Sequence, residues 1–284
     1  DWLPEFPLNL VFDLVDQCNL ACPQCLRAPD LAKDYKDFIL TSKYLDKKII
    51  KKILKEAGEY NLPSVNIGGS GECLLHPDFV EICEDIMNIN PCEFRIITNG
   101  ILLKKDISNA LIDLNVDIIS VSIDATTPEI FKITRGKAHR FEDVVKNTIN
   151  FSKIKKDRGA KWPLLRVSFV EQKENKHQKD EFIKFWSNYA DIIDVQSYHD
   201  FRQKGDFNLS FDCFEPFKRV TIWAYGGAGP CCGFPGIKYN IGDFNKESIH
   251  QIWHGKEIEN IRRMMITKNY DFPCLSCNGT RTVF

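Results

Sequence analysis

Short apolar runs alternate with longer amphipathic stretches along most of this chain, and the hydrophobic period switches between about 2 and about 3.6 each time. Strand-like runs cover Asn9 to Val15, Ser64 to Ile67, Phe94 to Thr98, Ile118 to Ile123, Leu164 to Val170 and Ile192 to Tyr198. Helical patterns such as Tyr44 to Tyr60 and Phe141 to Arg158 lie between them. Strands that alternate with helices call for right-handed crossovers and a parallel sheet. Six such units are too few to close an eight-stranded barrel. The expected fold is therefore α/β, an open and curved (β/α)6 partial barrel over residues 1–205. Residues 206–284 read as a second, smaller unit. Its stretch from Ile222 to Pro230 has a strand-like start and a Gly-rich turn, the mark of a hairpin that brings Cys231 back towards Cys213.

Composition narrows the class without naming it. The hydrophobic share of 43%, the charged share of 27% and the net charge of -1 are ordinary for a globular protein. No apolar stretch is long enough to span a membrane. The Lys-rich stretches recur at helical spacing beside acidic residues and read as solvated helix faces, so neither a membrane nor a nucleic acid is expected as a partner. The odd count of 11 Cys in 284 residues, several in C-x2-C spacing, suits metal or cluster ligation in a reducing cytoplasm better than a secreted disulfide scaffold.

The chemistry concentrates in loops that follow strands. In a parallel α/β sheet these loops converge on one face, where ligands collect. The first strand is followed by Cys18, Cys22 and Cys25 in C-x3-C-x2-C spacing. Three thiolates can hold one iron-sulfur cluster and leave its fourth iron open to substrate or cofactor. Zinc is the alternative, but it favours paired ligands closed to four, and no fourth ligand is near. The second strand ends at Gly68-Gly69-Ser70-Gly71-Glu72, the third at Asn99-Gly100 and the fourth at Ser122-Ile123-Asp124.

With these loops in order, the sequence resembles the radical S-adenosylmethionine (SAM) superfamily from Pro7 to about Cys277. The resemblance implies that Cys18, Cys22 and Cys25 bind a 4Fe-4S cluster, and that Gly69, Ser70, Gly71 and Glu72 form the glycine-rich motif at the SAM amino group. Asn99, Ser122, Asp124 and Arg135 fall where the family contacts the rest of SAM. Gln24 replaces the usual aromatic residue or Met beside adenine. Cys73 replaces the usual Pro and is a candidate hydrogen-atom donor, the alternative being a small buried hydrophobe.

Cys213, Cys231 and the pair Cys274 and Cys277 form a second set, with Cys232 as a possible substitute for Cys231. Their order, with Ile241-Gly242-Asp243-Phe244 between them, resembles the twitch and SPASM extensions of that superfamily. The count implies one auxiliary 4Fe-4S cluster, as in twitch-type aminocyclitol dehydrogenases; a four-cysteine zinc ribbon is the alternative. The resemblance implies reductive cleavage of SAM, with an electron from a flavodoxin or ferredoxin, and hydrogen abstraction from a small molecule or peptide. Oxidation of a sugar, polyol or aminocyclitol carbinol is expected, with His199 a candidate base. Peptide maturation or epimerisation, and a non-enzymatic metal-binding role, are the alternatives.

Overall fold

A computed structural model describes residues 3–25, 44–198, 213–231, 233, 239–270 and 274. Six parallel strands pair in sequence order: β1 (Asn9–Phe12), β2 (Ser64–Ile67), β3 (Glu93–Thr98), β4 (Ile118–Ser122), β5 (Leu164–Glu171) and β6 (Ile192–Ser197). Six described helices follow or separate them: α1 (Lys47–Ala57), α2 (Phe79–Asn88), α3 (Lys105–Asp113), α4 (Pro128–Arg135), α5 (Phe141–Asp157) and α6 (Lys179–Trp186). The expected α/β architecture is the observed one.

Beyond β1 the sheet continues. Strand β7 (Arg219–Ile222) pairs parallel to β1, and β8 (Gly227–Gly229) and β9 (Gly242–Asp243) add antiparallel strands, giving the order β6-β5-β4-β3-β2-β1-β7-β8-β9. The hairpin expected around residues 222–230 is thus present, and its first strand extends the barrel sheet itself. Helices α7 (Ile249–Trp253) and α8 (Lys256–Thr267) complete this part.

Local chemistry explains the boundaries. Helix α1 is shorter than the amphipathic pattern from Tyr44 to Tyr60, because the Asp46 side chain accepts from Lys48 N at 2.8 Å and caps it. Its apolar positions Ile50, Ile53, Leu54 and Ala57 are buried on one face. The first strand stops at Phe12, short of the expected Val15, because Asp13 turns to the glycine loop.

Alternation gives the sheet two unlike faces. Leu10, Phe12, Val65, Ile67, Phe94, Ile96, Ile119, Val121, Leu165 and Val167 point to the helices and form one apolar cluster with them. Each such side chain contributes about 1.5–3 kcal/mol by leaving water. Asn66, Arg95, Ser120, Arg166, Ser168, Asp194 and Thr221 occupy the alternate positions on the concave face. Parallel strands covered by apolar layers on both faces read as continuous hydrophobic runs. Here the inner face is mixed, since Val11, Ile97, Ile118 and Val170 share it with those polar groups.

Candidate functional site

The three-cysteine loop lies beyond the carboxyl end of β1 and is fixed from three directions. Cys18 Sγ receives Leu20 N at 3.5 Å and Asn99 Nδ2 at 3.7 Å. Cys22 donates to the Arg135 carbonyl at 3.7 Å, and Cys25 N reaches the Cys22 carbonyl at 3.0 Å. Below the loop, Gly136 ends α4 with φ +84°, and a Cβ there would come within 2.2 Å of the Ala21 oxygen. Only glycine allows this approach without strain.

The glycine loop after β2 is held by Asp13, a buried residue that the sequence reading missed. Its carboxylate accepts from Ser70 Oγ and, at 3.4 Å, from Gly71 N. A Cβ on Gly69 would meet Asp13 Cγ at 2.6 Å, and one on Gly71 would meet the Val15 oxygen at 1.7 Å. Those glycines let the second loop press against the start of the first. Its closeness in sequence to Cys18 is the one signal that could have found Asp13, but which of the nearby acids Asp13 and Asp16 holds the glycine loop was not written there.

Glu72 braces the site from below. It is fully buried, and its two oxygens accept from Thr98 Oγ1, from Leu74 N at 3.2 Å and from Asn99 N at 2.7 Å. Burial pushes its carboxyl above the usual range, against the pull of those donors. Asn99 in turn donates to Asn19 Oδ1 at 2.6 Å as well as to Cys18. The structure thus links Glu72, Asn99 and Cys18 in one chain of contacts.

Asp124 and Arg135, expected as separate contacts, form an ion pair of 2.7 Å. Asp124 Oδ1 also accepts from Val170 N at 2.8 Å, and Asn175 Nδ2 donates to the Asp124 carbonyl at 3.0 Å. Burial raises the Asp124 carboxyl, with Arg135 opposing it. The pair anchors the carbonyl that receives Cys22. Ser122 meets Ser168 Oγ at 3.5 Å on the concave face, and Gln24 is half-buried beside Cys25.

Cys73 sits in the apolar cluster at 3% exposure and donates to the Ile97 carbonyl at 3.3 Å. Burial raises its thiol well above the usual range. Cys213 and Cys274 are half-buried against the same cluster. His199, Cys232 and Cys277 lie outside the described residues. Because β7 runs parallel to β1 and β8 returns, Cys213 before β7 and Cys231 after β8 belong to the end of the sheet opposite the Cys18 loop.

The donor set fits a cluster. Burial raises the Cys18 and Cys22 thiols, while the donors on Cys18 and the Arg135 charge beside Cys22 favour their thiolates. Among the described residues no three His, Cys, Asp or Glu side chains converge on a single ion. A cubane instead spreads its thiolates over separate corners.

Fold and loops together define a class: a partial α/β barrel that presents three thiols and a glycine loop at the carboxyl ends of its strands. The chain belongs to the radical SAM superfamily, whose pattern matches residues 13–165. Residues 213–278 match SPASM, an iron-sulfur cluster-binding domain. The two domains together make it a radical SAM protein with SAM, a SAM-binding 4Fe-4S cluster and auxiliary 4Fe-4S chemistry as its cofactors. No described helix is long and apolar enough to cross a membrane.

Over 187 residues the chain is 27% identical to a probable GTP 3′,8-cyclase of Methanocaldococcus jannaschii, covering 66% of this chain and 57% of that protein. Over 191 residues it is 27% identical to mycofactocin maturase MftC of Mycobacterium tuberculosis, covering 67% and 44%. The chain spans about half the length of these curated relatives. Streptococcus suis SuiB bound to S-adenosylmethionine superposes with TM-score 0.71 at 18% identity, over 97% of this chain and 70% of that one. BtrN in complex with AdoMet and 2-DOIA superposes with TM-score 0.57 at 14% identity, over 97% and 93%. These two likenesses show the fold.

Proposed function

We propose that this enzyme oxidises a carbinol carbon of a small polar substrate, a sugar, polyol or aminocyclitol. One observation carries the reading: the Cys18 loop and the Cys213 and Cys231 positions belong to opposite ends of one sheet, with the polar side chains Asn66, Arg95, Ser120 and Thr221 on the strands between them. Strands of about five residues at about 3.3 Å each set those ends roughly 15 Å apart. When bound, SAM and its cluster supply a hydrogen-abstracting radical, and the auxiliary cluster supplies an acceptor for the second electron.

The chain's own residues do the rest. Asp13 and Glu72 fix the glycine loop and the end of β3, so the groups around SAM are ordered before it arrives. Asp124 holds Arg135, and Arg135 and Gly136 support the cysteine loop. The apolar layer between sheet and helices holds the strands rigidly behind the reacting face. A flavodoxin or ferredoxin would deliver the first electron.

Maturation or epimerisation of a ribosomally made peptide is the second reading, favoured by the 27% identity to mycofactocin maturase. The deciding experiment is anaerobic reconstitution, with iron, sulfide and 5′-deoxyadenosine measured beside product from a polyol panel and a peptide panel. About eight irons are expected, with about four left in a Cys18/Cys22/Cys25 triple Ala variant that no longer cleaves SAM. A ketone from a polyol supports the first reading; a modified peptide without any ketone refutes it.

A further inference from the structure

On the concave face, Ser122 pairs with Ser168 and Ser168 with Asp194, one position beyond the pairing of Thr98 with Val121. Asn99, the residue that donates to Cys18, therefore begins a polar row that crosses three strand gaps to Asp194. At about 4.8 Å per gap the row is roughly 14 Å long. Ile97, on the same face and 38% exposed, shows that this part of the lumen is open.

Asp194 stands at the far end in an unusual setting. Its Oδ2 takes both the Arg166 guanidinium and the Gln196 amide. Its side chain is 26% exposed, and Oδ1 has no hydrogen-bond partner among the described residues. Two donors on one oxygen fix the carboxylate, while the other oxygen keeps its lone pairs for a ligand. Ile193, the preceding residue, packs against the helix-side cluster, so Asp194 belongs to the lumen. A solvated surface ion pair would need neither the second donor nor the inward face.

We propose that Asp194 is a catalytic residue that accepts a hydrogen bond from a substrate hydroxyl and takes its proton as the carbinol is oxidised. This rests on the carbinol-oxidising reading and names the base that reading lacks among the described residues. The balance is complete. The carbinol C–H hydrogen leaves as an atom to the SAM-derived radical, the O–H proton passes to Asp194 Oδ1, and the remaining electron passes to the auxiliary iron-sulfur cluster, leaving C=O. Arg166 and Gln196 are positioning residues that keep Oδ1 turned inward.

The test uses reconstituted full chain and three probes: myo-inositol, D-glucitol and D-glucosamine. Retention of labelled probe is read by equilibrium dialysis with SAM and no reductant, and ketone formed per 5′-deoxyadenosine is read under turnover. With Asp194→Asn, retention and the ketone ratio should each fall at least tenfold, and Asp194→Glu should restore part of the ratio. A structural role would lower both products together and leave their ratio alone. Should Asp194→Asn not fold, probe retention by Asp194→Ser decides. Unchanged retention and ratio in the variant would overturn the inference and leave the carbinol reading standing. Failure of all three probes in wild type, with a peptide modified instead, would overturn that reading and the inference with it.

Discussion

Glu72 shows how far a single side chain reaches in this site. The sequence marks it as the end of a glycine-rich motif, which suggests ligand contact; its carboxylate is instead spent on Thr98, Leu74 and Asn99. Glu72→Gln places an amide NH2 where one of these donors needs an acceptor. Leaving a buried donor unmatched costs about 1–3 kcal/mol, and in a chain of this size each kcal/mol lowers Tm by about 2–4 °C. Thermal unfolding of the iron-free variant measures that loss, and a lower iron content after reconstitution is expected because Asn99 no longer holds Cys18 firmly. An unchanged Tm would mean that the buried carboxyl is protonated and already donates.

At the scale of elements, the loop after β1 depends on the end of α4. Gly136→Ala adds a Cβ within 2.2 Å of the Ala21 oxygen at φ +84°, so either the helix end or the cysteine loop must shift. Iron bound per chain should fall to about half, with the auxiliary cluster retained; iron analysis after anaerobic reconstitution reads it directly. The turn after β9 carries a pH signature. Asp243 accepts from Asn245 Nδ2 at 2.6 Å and Asn245 N at 3.0 Å, with Lys246 at 3.3 Å, and these partners hold its carboxyl below the usual range. A depressed folded-state value gives stability above the unfolded value near 4 that is lost as pH falls through the lower one. Denaturant unfolding between pH 5 and about 2 should therefore be less steep in Asp243→Asn than in wild type.

Much at this scale was legible beforehand. The six parallel strands, the three-thiol loop and the hairpin followed from period and spacing. The ends of strands and helices were less so, because Asp46 and Asp13 decide them through side-chain contacts. The pairing of Asp124 with Arg135 was hidden for a similar reason: each motif was readable alone, but their ion pair depends on how α4 returns to the sheet. Nor did alternation alone reveal that Asp194 stands across the lumen from Asn99, since that depends on strand register.

The whole molecule is more continuous than a division at residue 205 suggests. Strand β7 is hydrogen-bonded into the ladder beside β1, Glu56 of α1 accepts from Ile249 N and His250 N at 2.8 Å each, and Trp253 Nε1 donates to the Pro4 carbonyl at 2.8 Å. Arg262 of α8 lies 4.1 Å over the Trp253 ring and donates to the Pro216 and Trp253 carbonyls. The carboxyl-terminal part therefore completes the edge of β1, and Glu56 of the barrel ties the first-turn amides of α7, beside its own Ser248–Gln251 capping box, to α1. Cooperative opening follows: amides of residues 9–12 and 219–222 should exchange with the same opening free energy in native-state hydrogen exchange. Glu56→Ala leaves the Ser248–Gln251 capping box of α7 in place but removes the acceptor of Ile249 N and His250 N, costs about 1 kcal/mol and should lower Tm by about 2–4 °C without separating the two sets of amides. If residues 219–222 instead opened at much lower free energy than 9–12, β7 would be a docked appendage, and the distance between the two cysteine groups would no longer be set by a common sheet.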